Sequence, residues 1–409
     1  MTSRRLVMRI LTATPKAFLT ANESDSSFFS RDMGLTCRAL REAGVESQVV
    51  MLEGPEARAH PDVIRGSRSD LESADWWARL NPDAVVLCAW AAPRYTPIAR
   101  AIRESGAVLI ARCDSGEPYS QWQKTLRQSF RTHYLAARYE GRGWAWACGF
   151  SLLKTPLFYL PFLYDNRVVE HLAQAHLILS EIPAVARSLE EFLRGKGRPD
   201  LAARVRCIAH PVMDVVRSSG ETVKQRRILS VGRWDHYSKN APLLIRSLEK
   251  VLSRRSDYEA HLYGGGEDVL KALVRCLPEK IRARIILRGR VDHGILLAEY
   301  RAGRIFFAPS RSEGFNMSAA EALCRGCSVV GSGHISAFRH FISKNSGTLA
   351  ARYTVASMAE ALAAEIDQWE TGRRDPAEIG RLWRDEVCSR AVIARILECA
   401  KSSGLKSSV

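Results

Sequence analysis

Short apolar runs alternate with amphipathic, helix-length stretches along almost the whole chain, and they do so in two series. The first holds "LVMRILTA" (6–13), "ESQVVML" (46–52), "DAVVLCAW" (83–90), "AVLIARCD" (107–114), "AHLILSE" (175–181) and "VRCIAHP" (205–211). Helical stretches separate them, among them "FSRDMGLTCRALREAG" (29–44), stopped by glycine, and "TPIARAIRESG" (96–106). A strand followed by a helix of that length joins the next strand by a crossover. The pairing is then parallel, and the sheet is covered on both faces. The second series runs "RILSVGR" (227–233), "YEAHLYGGG" (258–266), "RIILRGRV" (284–291), "RIFFAPS" (304–310) and "SVVGSG" (328–333). Between the two lies the polar, basic stretch "RSSGETVKQR" (217–226). The expected architecture is therefore α/β, with two Rossmann-like domains (1–217 and 218–380) facing each other across a cleft. The remainder, 381–409, reads as a helix with a basic tail that packs back on the first domain.

A chain of 409 residues is comfortable for two cores. Its formal net charge of +16 favours an anionic partner: nucleic acid, an acidic membrane surface or a phosphorylated small molecule. The ten cysteines are scattered without the spacing of a disulfide framework, which fits reduced thiols and a cytoplasmic protein. Cys324 and Cys327 form a C-x-x-C, but no second pair or histidine cluster follows it. The start, "MTSRRLVMRILTATP", is broken by Arg9 and reads as a first strand rather than a signal peptide. No stretch reaches the roughly 18 apolar residues of a spanning helix, so membrane contact would be peripheral.

The chemistry concentrates in the second series. "RIFFAPS" is a strand, "SEGFN" a turn and "MSAAEALCRG" a helix former ended by Gly326. That order places a helix N-terminus at the carboxyl edge of the sheet, where free N–H groups near Phe315 favour an anion. Glu313 and Glu321 flank this helix tip. A carboxylate repels phosphate but accepts hydroxyl groups, so a phosphate at the helix end with glutamates on hydroxyls describes a nucleotide sugar. The second loop, "SVGRWDHYSKN" (230–240), follows the domain's first strand. Gly232 allows a close backbone approach, while Arg233 and Lys239 supply two cations for a diphosphate. "YGGGED" (263–268) and "RGRV" (288–291) end two more strands on that edge, their glycines leaving room for a nucleotide. The plainer alternatives are a solvated loop for the cations, a helix-charge device for the glutamates and a turn for the glycines.

Taken together, "GRW…K…N", "YGGGE", "GRV" and "PSRSEGFNMSAAEALCRGCSVVGS" resemble the successive motifs of GT-B glycosyltransferases of the glycogen-synthase-like, retaining family 4. The resemblance includes the Glu-x7-Glu of that family, as Glu313 and Glu321. It covers nearly all of 226–345 and implies a metal-independent hexosyltransferase using a nucleotide diphosphate sugar. It implies that Arg233 and Lys239 hold the diphosphate and stabilise the leaving group. Glu313 would bind hydroxyls of the transferred sugar, and Glu321 the ribose. Gly232 and the amides of Gly314, Phe315, Asn316 and Met317 would line the sugar and phosphate, with Arg290 and Val291 bordering the base. No Asp-x-Asp occurs in the chain, so no metal and no other cofactor is expected.

Resemblance is thinner in the first domain. Where family members commonly carry a Gly-Gly pair, "NESDSSFFSRDMG" offers Ser26 and Ser27. Where they often carry a histidine near the reacting carbon, "IARCDSGEP" offers Asp114, as a catalytic residue or a strand-end turn aspartate. His210 reads as structural. In 121–165, Lys124, Arg127, Arg131, Arg138 and Arg142 recur among aromatics, as on a helix-loop segment lying on an anionic bilayer or on a solvated basic face. No nucleic-acid motif accompanies that charge. The expected function is transfer to a hydroxyl acceptor, lipid-linked or polysaccharide, in bacterial cell-surface synthesis at the inner face of the cytoplasmic membrane. The alternatives are a GT-B nucleotide-sugar epimerase and an inactive nucleotide-sugar-binding module.

Overall fold

The computed structural model describes residues 7–18, 28–30, 32–54, 58–89, 91–113, 126–139, 141–158, 161–215, 223–343 and 345–405. They pack as two compact units. One takes Met1–Gln123, Leu160–Asp214 and Val387–Val409, the other Lys124–Tyr159 and Val215–Glu386.

The first unit is a seven-stranded parallel sheet in the order β3-β2-β1-β4-β5-β6-β7. Its strands are β1 (Ile10–Thr14), β2 (Val49–Leu52), β3 (Val63–Gly66), β4 (Ala84–Cys88), β5 (Val108–Cys113), β6 (Leu177–Ser180) and β7 (Val205–Cys207). β1, β4, β5 and β6 are buried along their whole length, which is why they read as unbroken apolar runs rather than alternating ones. Thr12 of β1 stands opposite Val49 on one side and Val86 on the other. The helix Asp32–Glu42 turns Met33, Leu35, Cys37 and Leu40 inward, and the C-terminal helix Ser389–Ser402 packs against it.

The second unit is a six-stranded parallel sheet in the order β10-β9-β8-β11-β12-β13. It comprises β8 (Gln225–Val231), β9 (Glu259–Tyr263), β10 (Ile285–Gly289), β11 (Gly303–Phe307), β12 (Ser328–Ser332) and β13 (Gly347–Ala350). Chain order runs outward from β8 to β10 and then resumes at β11 on the other side of β8. A crevice therefore opens between the loops leaving β8 and β11. Opposite that edge, Arg374 ties the helix Val355–Glu370 to β13. It is paired with the fully buried Glu365 (2.7 Å) and donates to the Gly347 carbonyl (3.0 Å). The helices Leu126–Tyr139 and Trp144–Phe158 pair with each other, and the first lies beside residues 237–239.

Two strands escape a reading by apolar runs, β3 and β13. Each is an edge strand of four residues, partly exposed, so its sequence carries little hydrophobic signal. The closing stretch is two helices, Pro376–Val387 and Ser389–Ser402, broken at Cys388. There Val212 inserts a parallel bridge, donating to Val387 (2.8 Å) and accepting from Ser389 (2.9 Å).

Candidate functional site

The loops at the switch point are residues 232–240 after β8 and 308–316 after β11. The first is pinned from below. Trp234 is buried, its backbone N–H donating to Gly265 (2.8 Å) and its indole Nε1–H to Tyr263 (2.9 Å). Gly264, at φ +109°, lies so close that a Cβ there would stand 2.0 Å from the Gly232 carbonyl oxygen. A Cβ on Gly266, at φ +79°, would stand 2.4 Å from the Asp235 nitrogen. An L side chain is therefore both strained by the backbone and blocked by it. The room expected for a nucleotide at these two glycines is filled by the β8 loop itself. Gly265 faces the Arg290 guanidinium, 3.0 Å from where its Cβ would be.

A loop held this firmly presents Lys239 to the β11 loop. Lys239 Nζ donates to Glu313 Oε1 at 2.6 Å, and the Ser310 hydroxyl donates to the same oxygen. Below them, Asn240 adopts φ 52° at the start of the helix Ala241–Leu252. Its Nδ2 donates to Tyr353 Oη (2.7 Å), and the Tyr353 hydroxyl donates to the Pro309 carbonyl (2.8 Å). Burial pushes the Tyr353 phenol up to about 12, which keeps it a neutral donor. Arg311 closes the tie, its Nη2 donating to Asn240 Oδ1 (2.9 Å) and its backbone N–H to the Ser238 carbonyl (2.7 Å). The Arg311 guanidinium lies 4.5 Å from the Tyr237 ring centre. The two loops thus form one hydrogen-bonded assembly, with a cation and a carboxylate in contact at its surface.

The helix Met317–Cys324 begins beside this pair. Asn316 turns at φ 66° and its side-chain oxygen accepts the Ala319 N–H (3.0 Å). The buried Phe315 ring packs edge-on against Phe341 (5.2 Å), which anchors the turn. The first N–H groups of the helix lie outside its own hydrogen-bond ladder and carry the positive end of its dipole. Deeper in the helix, Glu321 is only 4% exposed. His293 Nε2 donates to its Oε1 at 2.7 Å, and Arg325 Nη1 to its backbone carbonyl at 3.2 Å. The Tyr300 phenol is driven well above its usual range, by burial first and then by the Glu321 charge, and stays neutral beside them.

Of the residues the sequence singles out, Gly232, Lys239, Glu313, Gly314, Phe315, Asn316 and Met317 all lie on these loops or at the helix tip. Lys239 and Glu313 are brought into direct contact. Arg233 is exposed, with no ion-pair partner among the described residues; Arg290 is exposed and Val291 half-buried. Asp114, Ser26 and Ser27 lie outside the described residues. His210 Nε2 donates to Glu181 Oε1 (3.0 Å), both buried. Cys327 is buried and its thiol is pushed up by burial, donating to the carbonyls of Tyr300 (2.9 Å) and Gly303 (3.2 Å). His293, Arg311 and Tyr353 were not anticipated. Only His293 carried a signal, standing two residues beyond Val291 at the start of the helix His293–Ala302.

On the helix Trp144–Phe158, Trp144 is 70%, Trp146 49%, Leu152 59% and Leu153 73% exposed. Arg142 lies 5.0 Å over the Trp146 ring, and Arg131 and Arg138 of the neighbouring helix are exposed. Among the described residues no helix is long and apolar enough to cross a membrane.

Residues 225–368 match the model of the family described as glycosyl transferases group 1. The chain is 32% identical over 116 residues to an uncharacterized glycosyltransferase of Methanocaldococcus jannaschii. That stretch is 28% of this chain and spans 29% of the length of that relative. Among solved structures, α,α-trehalose 6-phosphate synthase of Burkholderia multivorans aligns with 97% of this chain and 99% of its own, at 13% identity and a TM-score of 0.63. HepE of Anabaena, in complex with UDP, aligns with 97% and 100%, at 13% identity and 0.62. WaaG, a glycosyltransferase involved in lipopolysaccharide biosynthesis, aligns with 97% and 99%, at 14% and 0.58. The fold is GT-B, and over residues 225–368 the match to glycosyl transferases group 1 agrees with the glycosyltransferase resemblance read from the motifs.

Proposed function

We propose that this chain transfers a hexosyl group from a nucleoside diphosphate sugar to a hydroxyl acceptor, with retention of configuration. The observation that carries the reading is the contact of Lys239 with Glu313 beside the tip of the helix Met317–Cys324. A cation and a helix N-terminus suit a diphosphate, and a carboxylate within reach suits the hydroxyls of the sugar attached to it. Similarity in fold to HepE, whose structure holds UDP, supports a nucleoside diphosphate as ligand.

In this reading the bond between the anomeric carbon and the diphosphate oxygen breaks, and both bonding electrons stay on the diphosphate. Lys239, Arg233 and the helix dipole stabilise that charge, the function a metal ion serves elsewhere. The acceptor oxygen attacks the anomeric carbon from the face the leaving group vacates, and its proton passes to the departing diphosphate. Glu313 holds the sugar hydroxyls and Glu321 the ribose, while Gly232 and the amides of Gly314, Phe315, Asn316 and Met317 line the sugar and phosphates. Arg290 and Val291 border the base. Asp114 is proposed as a further catalytic residue, positioning a hydroxyl of the donor sugar or acting on the acceptor.

The proposed acceptor is a lipid-linked or polysaccharide hydroxyl in bacterial cell-surface synthesis, at the cytoplasmic face of the membrane. The exposed Trp144, Trp146, Leu152 and Leu153 beside Arg131, Arg138 and Arg142 support contact with an anionic bilayer.

A thermal-shift panel of UDP-, GDP- and ADP-sugars selects the donor, because a ligand that binds only the native state raises stability with its affinity. With that donor, Lys239→Ala and Glu313→Ala are each expected to lower transfer by about 10²–10³-fold, the usual scale for one preorganised charge-stabilising group. Wild-type turnover in either variant would remove the site assignment. Product formed with no acceptor present would indicate an epimerase instead.

A further inference from the structure

Glu321, on the helix Met317–Cys324, is a carboxylate only 4% exposed. A buried carboxylate needs directed donors, both to offset its lost hydration and to set which oxygen faces outward. Among the described residues its side-chain donor is His293 Nε2, 2.7 Å from Oε1. Two features make this contact a setting device. His293 sits at the start of the helix His293–Ala302, just past the end of β10, so its backbone is fixed by the same strand end that carries Arg290. Its second ring nitrogen, Nδ1, is buried and has no hydrogen-bond partner among the described residues. The ring is therefore oriented by Glu321, and Glu321 by the ring. Tyr300, fully buried and neutral, fills the space beside the pair.

The geometry points to His293 as a positioning residue for ribose selection. By holding Oε1 of Glu321 it leaves Oε2 as the oxygen available to the vicinal 2′- and 3′-hydroxyls of a ribonucleoside diphosphate. This rests on the reading of the second unit as a nucleotide-sugar site. Removal of the imidazole donor frees the Glu321 carboxylate to rotate or to take a water in place of the ring, and one oxygen is no longer held for the diol. Charged-group hydrogen bonds to a diol have a directional character that a rotating carboxylate does not keep. The consequence is specific: affinity for the ribose is lost, while affinity for the diphosphate is kept.

The test measures binding of UDP, GDP and ADP, each against its 2′,3′-dideoxy counterpart, to wild type, His293→Leu and His293→Gln by calorimetry. Wild type is expected to prefer one ribonucleotide over its dideoxy form. His293→Leu should cut that preference about tenfold, chiefly by weakening the ribonucleotide, with the dideoxy affinity within about twofold of wild type. His293→Gln, whose amide still donates, should restore most of the preference. An unchanged preference in His293→Leu, or an equal loss for both ligands, overturns the proposal and leaves the pair a packing feature. The proposal equally fails if His293→Leu melts several degrees lower without ligand and His293→Gln restores the melt but not the preference. If wild type binds none of the six ligands, it is the nucleotide-sugar reading that fails instead.

Discussion

At the scale of single residues, the free site holds two opposite charges that neutralise each other. Lys239 donates to Glu313 at 2.6 Å, and the Ser310 hydroxyl reaches the same oxygen. A diphosphate arriving at Lys239 must compete with that carboxylate. Glu313→Gln is therefore expected to bind inorganic pyrophosphate about threefold tighter than wild type at low salt, the scale of one partly exposed ion pair. It should nonetheless transfer no sugar at a useful rate. Isothermal titration decides it: equal or weaker pyrophosphate binding means that Glu313 does not hold Lys239 back. The two residues were legible in the sequence because each ends a strand-loop motif with a recognisable order. Their contact was not legible, since 74 positions separate them and only the β8–β11 pairing brings the loops together. Gly264 shows the opposite case. The sequence marks it as special, but only the structure shows that it makes way for the Gly232 carbonyl rather than for a ligand.

At the scale of elements, the central strands were readable because burial on both faces forces a continuous apolar run, as in β5 and β12. The edge strands β3 and β13 were not, because one free side relaxes that demand. What secures this part of the second unit is partly charge. Glu370, the last residue of the helix Val355–Glu370, accepts from Arg226 (2.7 Å) at β8 and Arg304 (2.6 Å) at β11. Tyr258 (2.8 Å), just before β9, donates to it as well. The Arg226 hydrogen bonds first, then Tyr258 and Arg304, hold the Glu370 carboxyl at about 2. An unfolded glutamate titrates near 4.5, so between the two values the unfolded chain binds more protons than the native one. This contribution is therefore present above about pH 4.5 and fades as pH falls toward 2. Glu370→Gln should destabilise the unit by about 1 kcal/mol at pH 7, a figure kept small because the network is largely solvent-facing. In denaturant titrations the difference from wild type should shrink steadily below pH 4.5. A gap as large at pH 2.5 as at pH 7 would mean the network acts through shape rather than charge.

At the scale of the whole molecule, a net charge of +16 asks for an anionic partner, and composition leaves its kind open. A diphosphate at one loop pair engages only a few cations. The helices Leu126–Tyr139 and Trp144–Phe158 add something a soluble nucleotide does not need. Trp144 and Leu153 are 70% and 73% exposed, and Arg131, Arg138 and Arg142 are exposed nearby. Exposed apolar side chains cost solubility unless something covers them, and basic residues around them favour an anionic interface over another protein's neutral face. The sequence carried both the charge and the aromatics, but whether the tryptophans were core or surface could be decided only by the packing. The two components separate experimentally. Each surface arginine contributes about 1 kcal/mol at an anionic bilayer, a factor of about five, whereas the apolar part is insensitive to salt. Neutralising Arg131, Arg138 and Arg142 together should lower co-sedimentation with phosphatidylglycerol vesicles by about a hundredfold in low salt. Trp144→Ser with Leu153→Ser should instead remove the fraction that survives 0.5 M salt. Binding that withstands both sets of changes, or that is as strong on phosphatidylcholine, places the contact elsewhere and leaves these helices as a docking face for a soluble acceptor.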